Sequence, residues 1–565
     1  AASALRGDFT LEGKATMVFD SDRNNGVKNS DLAFQISFAK VDGHGEDCGD
    51  DDGEGRKVTI CHLPAGDWSK ARTLRVGVSA LEAHLAHGDV IGECPGSPSD
   101  PGDGGGTCED KKIVASPNYI LWNSFLGMLN ILELTNANEA ELPVRVSFYS
   151  IRGELVNQRW VVVPAKNQLD LIVNDLPGFV ANSYGVIKLE FTGTLDGRMM
   201  FYKLLPDNVN YDFAFGVPLA DANFGNTAVS FNTFQPSLLA AERDNIVANW
   251  LSIVNLDSQP QSFTIYTYDM SGRLIMRRER ELAPFGRDDM DGGHDLAGPN
   301  VVGFHKIVPH NVTAEYIAQL TRFGGNAPAG FAPSEYKFAF PLAAKLGQSD
   351  PIYLPMSSKF GEYNWIEVVN ILDHGVSATL NYFGQDGRIL ETEDAWIEPN
   401  AQVHFDARAH LNQGEVGYAE IVPREPFSLI AQSMGYMRDP ASGSVTSVYG
   451  SQARRALPCL QSGTYNLFLG MQNWLLVSNT TNTTVEATIE VTGPNLFNER
   501  TISLAPRASV HLPIHVQSEF GARANTYGLL AVKPSISSVR LFAEVMRLRF
   551  NAAGKPEFSA PIPVR

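Results

Sequence analysis

The chain has 565 residues, with 63 acidic against 45 basic side chains and a formal net charge of −18. That acid excess argues against nucleic acid or an anionic membrane as a partner. Hydrophobic residues at 44% and charged residues at 19% suit folded domains with real cores, and no run of about 20 apolar residues exists to cross a membrane as a helix. The length suggests roughly four domains, and sparse helical signals predict an all-β chain.

The sequence opens Ala1-Ala2-Ser3, is poor in Lys, and is rich in Asn, Thr, Ser and Gly. We therefore expect an exported, extracellular or cell-surface chain from which a signal peptide has been removed. Residues 1–46 read as an N-terminal β-segment with strands over 9–19 and 32–38, either a hairpin or a strand donated to a neighbour's sheet. The link between these strands resembles a calcium loop of the EF-hand or dockerin type. Asp20, Asp22 and Asn24 fall at its positions 1, 3 and 5, and Asp31 at 12. Gly26 comes one place late and strands replace the flanking helices, so a plain hairpin turn competes with calcium. Arg6-Gly7-Asp8, as a lone tripeptide, is near chance.

Residues 47–111 form a Cys/His module and linker. Cys48, Cys61, Cys94 and Cys108 cluster here, whereas Cys459 stands alone as a buried thiol or an intermolecular partner. In an exported chain the four clustered cysteines read as two disulfides with three possible pairings. We prefer the nested one, Cys61–Cys94 inside Cys48–Cys108, which staples a module too small to hold itself together. Short strands are expected over 57–60 and 74–78, and a helix over 79–89. Ser79 and Glu82 would form its capping box and Gly88 its stop.

On that helix His84 and His87 stand at i and i+3 and share a face, with Cys61-His62 at a strand end opposite. His62, His84 and His87, with Asp89 as a fourth, are candidate ligands for copper or zinc; reduced Cys61 and Cys94 would replace oxygen ligands. The competing reading is a small core in which the histidines only form hydrogen bonds. A c-type haem is disfavoured, because Thr59 stands where the first Cys of Cys-x-x-Cys-His belongs. The pattern Cys61-His62-x-Pro64-x-Gly66, then His84-Leu85-Ala86-His87-Gly88-Asp89, then Cys94 resembles a short Cys/His module of exported bacterial surface proteins. That resemblance covers residues 57–94 and implies export and module identity, not a mechanism. Residues 95–106, rich in Pro and Gly, read as a flexible linker.

The rest of the chain repeats. Asn, a large apolar residue, four residues and another Asn recur as Asn130-Ile131 to Asn136, Asn249-Trp250 to Asn255, Asn364-Trp365 to Asn370, and Asn473-Trp474 to Asn479. The copies begin roughly 110–120 residues apart, one small domain each. Each is followed by a turn signal (Gly153, Gly272, Gly387, and Gly493-Pro494-Asn495) and then by Pro164, Pro284, Pro399 or Pro506. Runs such as Ser262 to Tyr268 alternate with period two, so one face is buried. The fold expected is thus four tandem immunoglobulin-like β-sandwiches, at 112–225, 226–346, 347–455 and 456–565, laid out as a row. The Trp should plug each core and the asparagines should satisfy backbone groups at strand ends. Basic residues Arg322, Arg438 and Arg547 mark matching strand ends. Residues 287–295 read as a solvated acidic loop.

No Gly-x-Ser-x-Gly elbow, phosphate loop, Rossmann fingerprint or His-Glu-x-x-His occurs, and no copy departs from the repeat as an active domain would. We expect no enzyme. The organisation predicts an exported structural protein, a homopolymeric subunit of a filament, sheath or surface layer, with strand exchange as a route of assembly. The alternatives are a monomeric adhesin that binds a surface ligand, or a metal-binding or electron-transfer surface protein.

Overall fold

The computed structural model describes residues 57–95, 118–205, 211–235, 244–327, 336–439, 441–458, 460–493, 495–536 and 539–564. The calcium-type loop with Asp20, Asp22, Asn24 and Asp31, the N-terminal strands, and Cys48, Cys108 and Cys459 lie outside the described residues.

The chain is all-β. The module contributes β1 (Lys57–His62), β2 (Arg72–Gly77), α1 (Val78–Ala86) and β3 (Val90–Ile91), with β1 in the middle of the sheet. The helix starts earlier than its sequence suggests. It leaves β2 directly with Gly77 as N-cap, and no side chain caps it, so Ser79 and Glu82 do not form the expected box. The stop does fall at Gly88, whose φ of +92° suits glycine.

The first sandwich comprises β4 (Asn118–Asn123), β5 (Met128–Asn136), β6 (Leu142–Ser150) and β7 (Leu155–Val163). It continues with β8 (Asn167–Ile172), β9 (Tyr184–Phe191), β10 (Asp196–Leu204) and β11 (Tyr211–Pro218). One sheet runs β4-β9-β6-β7 and its partner β8-β5-β10-β11, all antiparallel, and the same order recurs in the next three sandwiches. Alternation along the strands fills each core. In Gln261–Asp269, for example, Phe263 and Ile265 are fully buried.

The repeated asparagines do as expected. Asn255 Nδ2 donates to the carbonyls of Gln259, Leu282 and Ala283, and its Oδ1 accepts from the Asp257 amide. Asn370 and Asn479 repeat the pattern atom for atom, so one buried side chain closes the orphan backbone groups of a strand end. The tryptophans do not plug the cores. Asn249 and Leu251 take the inward positions, which turns Trp250 to the outer face of its sheet, 40% exposed. Arg322 and Arg547 face Asn249 and Asn473 across their ladders, but Gly435 holds that place in the third copy, and Arg438 lies at the far end of its strand. The acidic stretch is also different from expectation. Arg287–Asp291 is an edge strand with Arg287 and Met290 buried, and Asp288 pairs with Arg280 at 2.8 Å.

The sandwiches form a closed ring and not a row. The last strands of the four, β11, Tyr336–Ala343, Val445–Gln452 and Pro556–Pro563, meet in sequence around the centre, and the fourth returns to the first. The closing contact stacks Arg549 3.6 Å over the Tyr211 ring, sets Tyr211 against Phe558 at 5.9 Å, and brings Arg547 to 3.6 Å from Glu133. The turn glycines and prolines seen in the sequence lock neighbours together. Gly153, Gly272 and Gly387 lie directly on the carbonyls of Pro284, Pro399 and Pro506 in the following sandwich. Beside them Arg287, Gln402 and Ser509 amides donate to Ile151, Met270 and Gln385 at 2.8–3.0 Å. These contacts join successive sandwiches; the contact of the fourth with the first is what closes the ring.

The module is seated on this ring. Phe224 joins the core of Val58, Ile60 and Leu81, and Phe427 covers the Cys61–Cys94 pair. Arg455, at the entry to the fourth sandwich, pairs with both Glu93 of the module and Asp350. Ser349 Oγ donates to the Glu93 carbonyl at 3.0 Å. Among the described residues no helix is long and apolar enough to cross a membrane.

Candidate metal centre

The site is built where β1 ends. Val58 and Ile60 point into the small core, Cys61 is fully buried, and His62 emerges half-buried at the strand end. Cys61 is joined to Cys94 across a separation of 33 residues. In chain-entropy terms a loop of that length is worth about 3–4 kcal/mol. With their sulfurs bonded to each other, Cys61 and Cys94 are not thiolate ligands, and the donor set is nitrogen and oxygen. The helix supplies His84 from its last turn. The chain then turns at Gly88 and returns Asp89 beneath both rings.

Asp89 is the centre of the cluster, its side chain wholly buried, while His62 and His84 keep 25% and 26% exposure. His62 Nδ1 lies 2.8 Å and His84 Nδ1 2.7 Å from the same oxygen, Oδ2, and the Leu63 amide donates to Oδ1 at 2.7 Å. Burial opposes ionisation of Asp89, but the bonds from His62, the Leu63 amide and His84 outweigh it and hold the pKa below the usual carboxylate range. An ionised carboxylate only accepts, so both rings present Nδ1–H to it, and in a neutral imidazole that tautomer has its lone pair on Nε2. The two rings stand edge to face, 5.7 Å apart.

One ligand atom from each of His62, His84 and Asp89 lies within 4.8 Å of the others, so this group can hold a metal ion. Two modes are open. Ligation through Nδ1 and Oδ2 needs donors about 3.3 Å apart around a tetrahedral ion with bonds near 2.0 Å, wider than the present 2.7–2.8 Å contacts. Ligation through Nε2 leaves Asp89 in place as the anchor that orients both rings.

His87 does not join the group. It is the C-cap residue, exposed, past the last helical residue, so the i, i+3 geometry does not carry it onto the His84 face. Asp89, a secondary candidate on spacing, takes the central role instead. The sequence held one further signal of this, the Gly88 turn that sends Asp89 back toward His84.

No protein-family model matches the chain and no curated protein matches it, so the Cys/His site rests on its own geometry.

Proposed function

We propose that this is an extracellular, non-enzymatic binding protein that carries a metal ion on its Cys/His module. The observation that carries the reading is the convergence of His62 and His84 on one buried, ionised carboxylate within a disulfide-stapled module. A donor set of two imidazoles and a carboxylate suits zinc or copper(II), which take nitrogen and oxygen ligands readily. The buried Cys61–Cys94 bridge fits an oxidising compartment.

A filament or sheath subunit is the competing reading. Its strand-exchange route rests on residues 1–46, and an extended subunit would need the sandwiches in a row. The ring folds that row back on itself, which favours a discrete particle. Light scattering on the full chain discriminates between them, a monomer supporting the binding protein and polymers the filament.

Zinc and copper(II) titrations of the full chain, read by calorimetry and metal analysis, test the site. One ion per chain is expected, lost in His62→Ala/His84→Ala and retained in His87→Ala. Undiminished binding in the double variant, or no stoichiometric binding at all, overturns the proposal.

A further inference from the structure

The interfaces of the ring are built alike, so one can be compared with another. Between the third and fourth sandwiches, Trp474 is covered. Phe360 lies 5.4 Å from it, Lys359 Nζ sits 5.4 Å over its ring, and His511 stacks on it at 4.9 Å. The space left there is about 30 Å³. Trp250 holds the same place between the first and second sandwiches, and there the cavity is about 950 Å³. That is the upper end of the size range of small-molecule sites, roughly 300–1,000 Å³.

Strand register shows why one interface is shut and the other open. Trp474 faces Met546 across the ladder, and Leu476 faces His511; at the open interface Trp250 faces Thr321 and Ser252 faces Asp289. Phe360, in the turn before its strand at φ +57°, corresponds to Leu126 at φ +58°. Four side chains that fill the closed interface are thus replaced by Thr321, Ser252, Asp289 and Leu126. The cavity comes from side-chain choice within a common backbone arrangement.

The lining defines the ligand. Phe201, Phe215, Phe323 and Tyr336 form apolar walls, and Trp250 and Phe125, 40% and 41% exposed, offer aromatic faces. Two of the charged groups of the lining, His294 and Arg287, are paired within the protein: His294, its ring 5.2 Å from Trp250, lies 3.0 Å from the Asp291 carboxylate. Arg287 forks onto Asp289 at 2.7 and 2.8 Å and spends its remaining donors on the carbonyls of Trp122 and Gly185 and on Ser252. Asp295 turns its carboxylate to solvent, 91% exposed. With Arg287 and His294 already paired and Asp295 facing solvent, a ligand charge would have to break an existing pair or compete with water, whereas a flat apolar body would stack on Trp250 and remove exposed aromatic surface from water.

We propose that the cleft between the first and second sandwiches binds one neutral, flat aromatic small molecule. This site is independent of the metal centre.

The test uses Nile red, a neutral flat dye, titrated into the full-length protein. Saturable binding of one dye per chain with blue-shifted emission is expected. Leu126→Phe/Ser252→Leu/Thr321→Met copies the closed interface onto the open one and should weaken binding at least 10-fold while keeping the circular dichroism spectrum. Should that variant fail to fold, Trp250→Leu alone should weaken binding at least 5-fold. Absence of saturable binding to the native protein, or affinity unchanged in the folded variant, overturns the proposal.

Discussion

Replacing Gly272 by Ala tests the lock between sandwiches. Gly272 has φ +85°, and a Cβ there would lie 2.2 Å from the Pro399 carbonyl oxygen of the next sandwich. The left-handed backbone alone costs a non-glycine residue about 1–2 kcal/mol. The contact adds a second cost. The hairpin must withdraw by more than an ångström, which breaks the Gln402 amide bond to Met270 O, now 3.0 Å, worth about 1 kcal/mol, and uncovers apolar surface beside it. Gly414→Ala is the control, because Gly414 has φ +82° but nothing within 4 Å of the point where a methyl group would stand. Both variants carry the backbone cost; only Gly272→Ala carries the interdomain one. We expect native-state hydrogen exchange at the Gln402 amide to accelerate in Gly272→Ala by about 2 kcal/mol beyond the control, roughly 30-fold. Equal exchange in the two variants would refute the lock between hairpin and proline.

Three further variants probe the site and its seat. Asp89→Asn keeps the shape but removes the charge that ligates the ion in one mode and orients both imidazoles in the other, and zinc or copper affinity measured by calorimetry should fall at least about 10-fold. Because the Asp89 pKa is lowered on folding, its contribution is present above the unfolded carboxylate value near 3.9 and is lost as pH falls through the lower folded value. An acid titration of module stability should therefore lose that component in Asp89→Asn. Cys61→Ala/Cys94→Ala should destabilise the module by about 3–4 kcal/mol while the melting of the ring is unchanged, as calorimetry would show. Arg455→Ala leaves Glu93 and Asp350 without their shared partner, and limited proteolysis within residues 57–95 should become faster, at a cost of about 1.5–3 kcal/mol for the lost charged hydrogen bonds.

Much of the local structure was legible in the residues. The alternation from Ser262 to Tyr268 marked a half-buried strand, and Asn255, Asn370 and Asn479 announced strand ends by their hydrogen-bonding chemistry. Less legible was which face a residue serves. Trp250 and Asn249 are adjacent, so a one-residue choice decides which lies in the core; hydrophobicity favoured Trp, and the backbone needs of the strand end favoured Asn. The inner strands carry a repeat of their own, Phe213-Ala214-Phe215 and Phe338-Ala339-Phe340 at matching places, but nothing in so short a motif says that these strands meet. At the candidate site, the i, i+3 rule chose His87, but the helix ended one residue too soon for it to apply.

Short stretches of chain settle what a few neighbouring residues can enforce: period-two strands, asparagine-capped ends, glycine turns and the repeat that multiplies one domain by four. Closure of the ring, the seat of the module and the open cleft arise only once the sandwiches are brought together. Each depends on partners far apart in the chain, such as Arg547 with Glu133, Arg455 with Glu93, and Trp250 with the space that Leu126 leaves empty. Local pattern constrains only residues within a turn or a ladder, whereas the energy that selects among arrangements of whole sandwiches is summed over contacts that no short stretch contains.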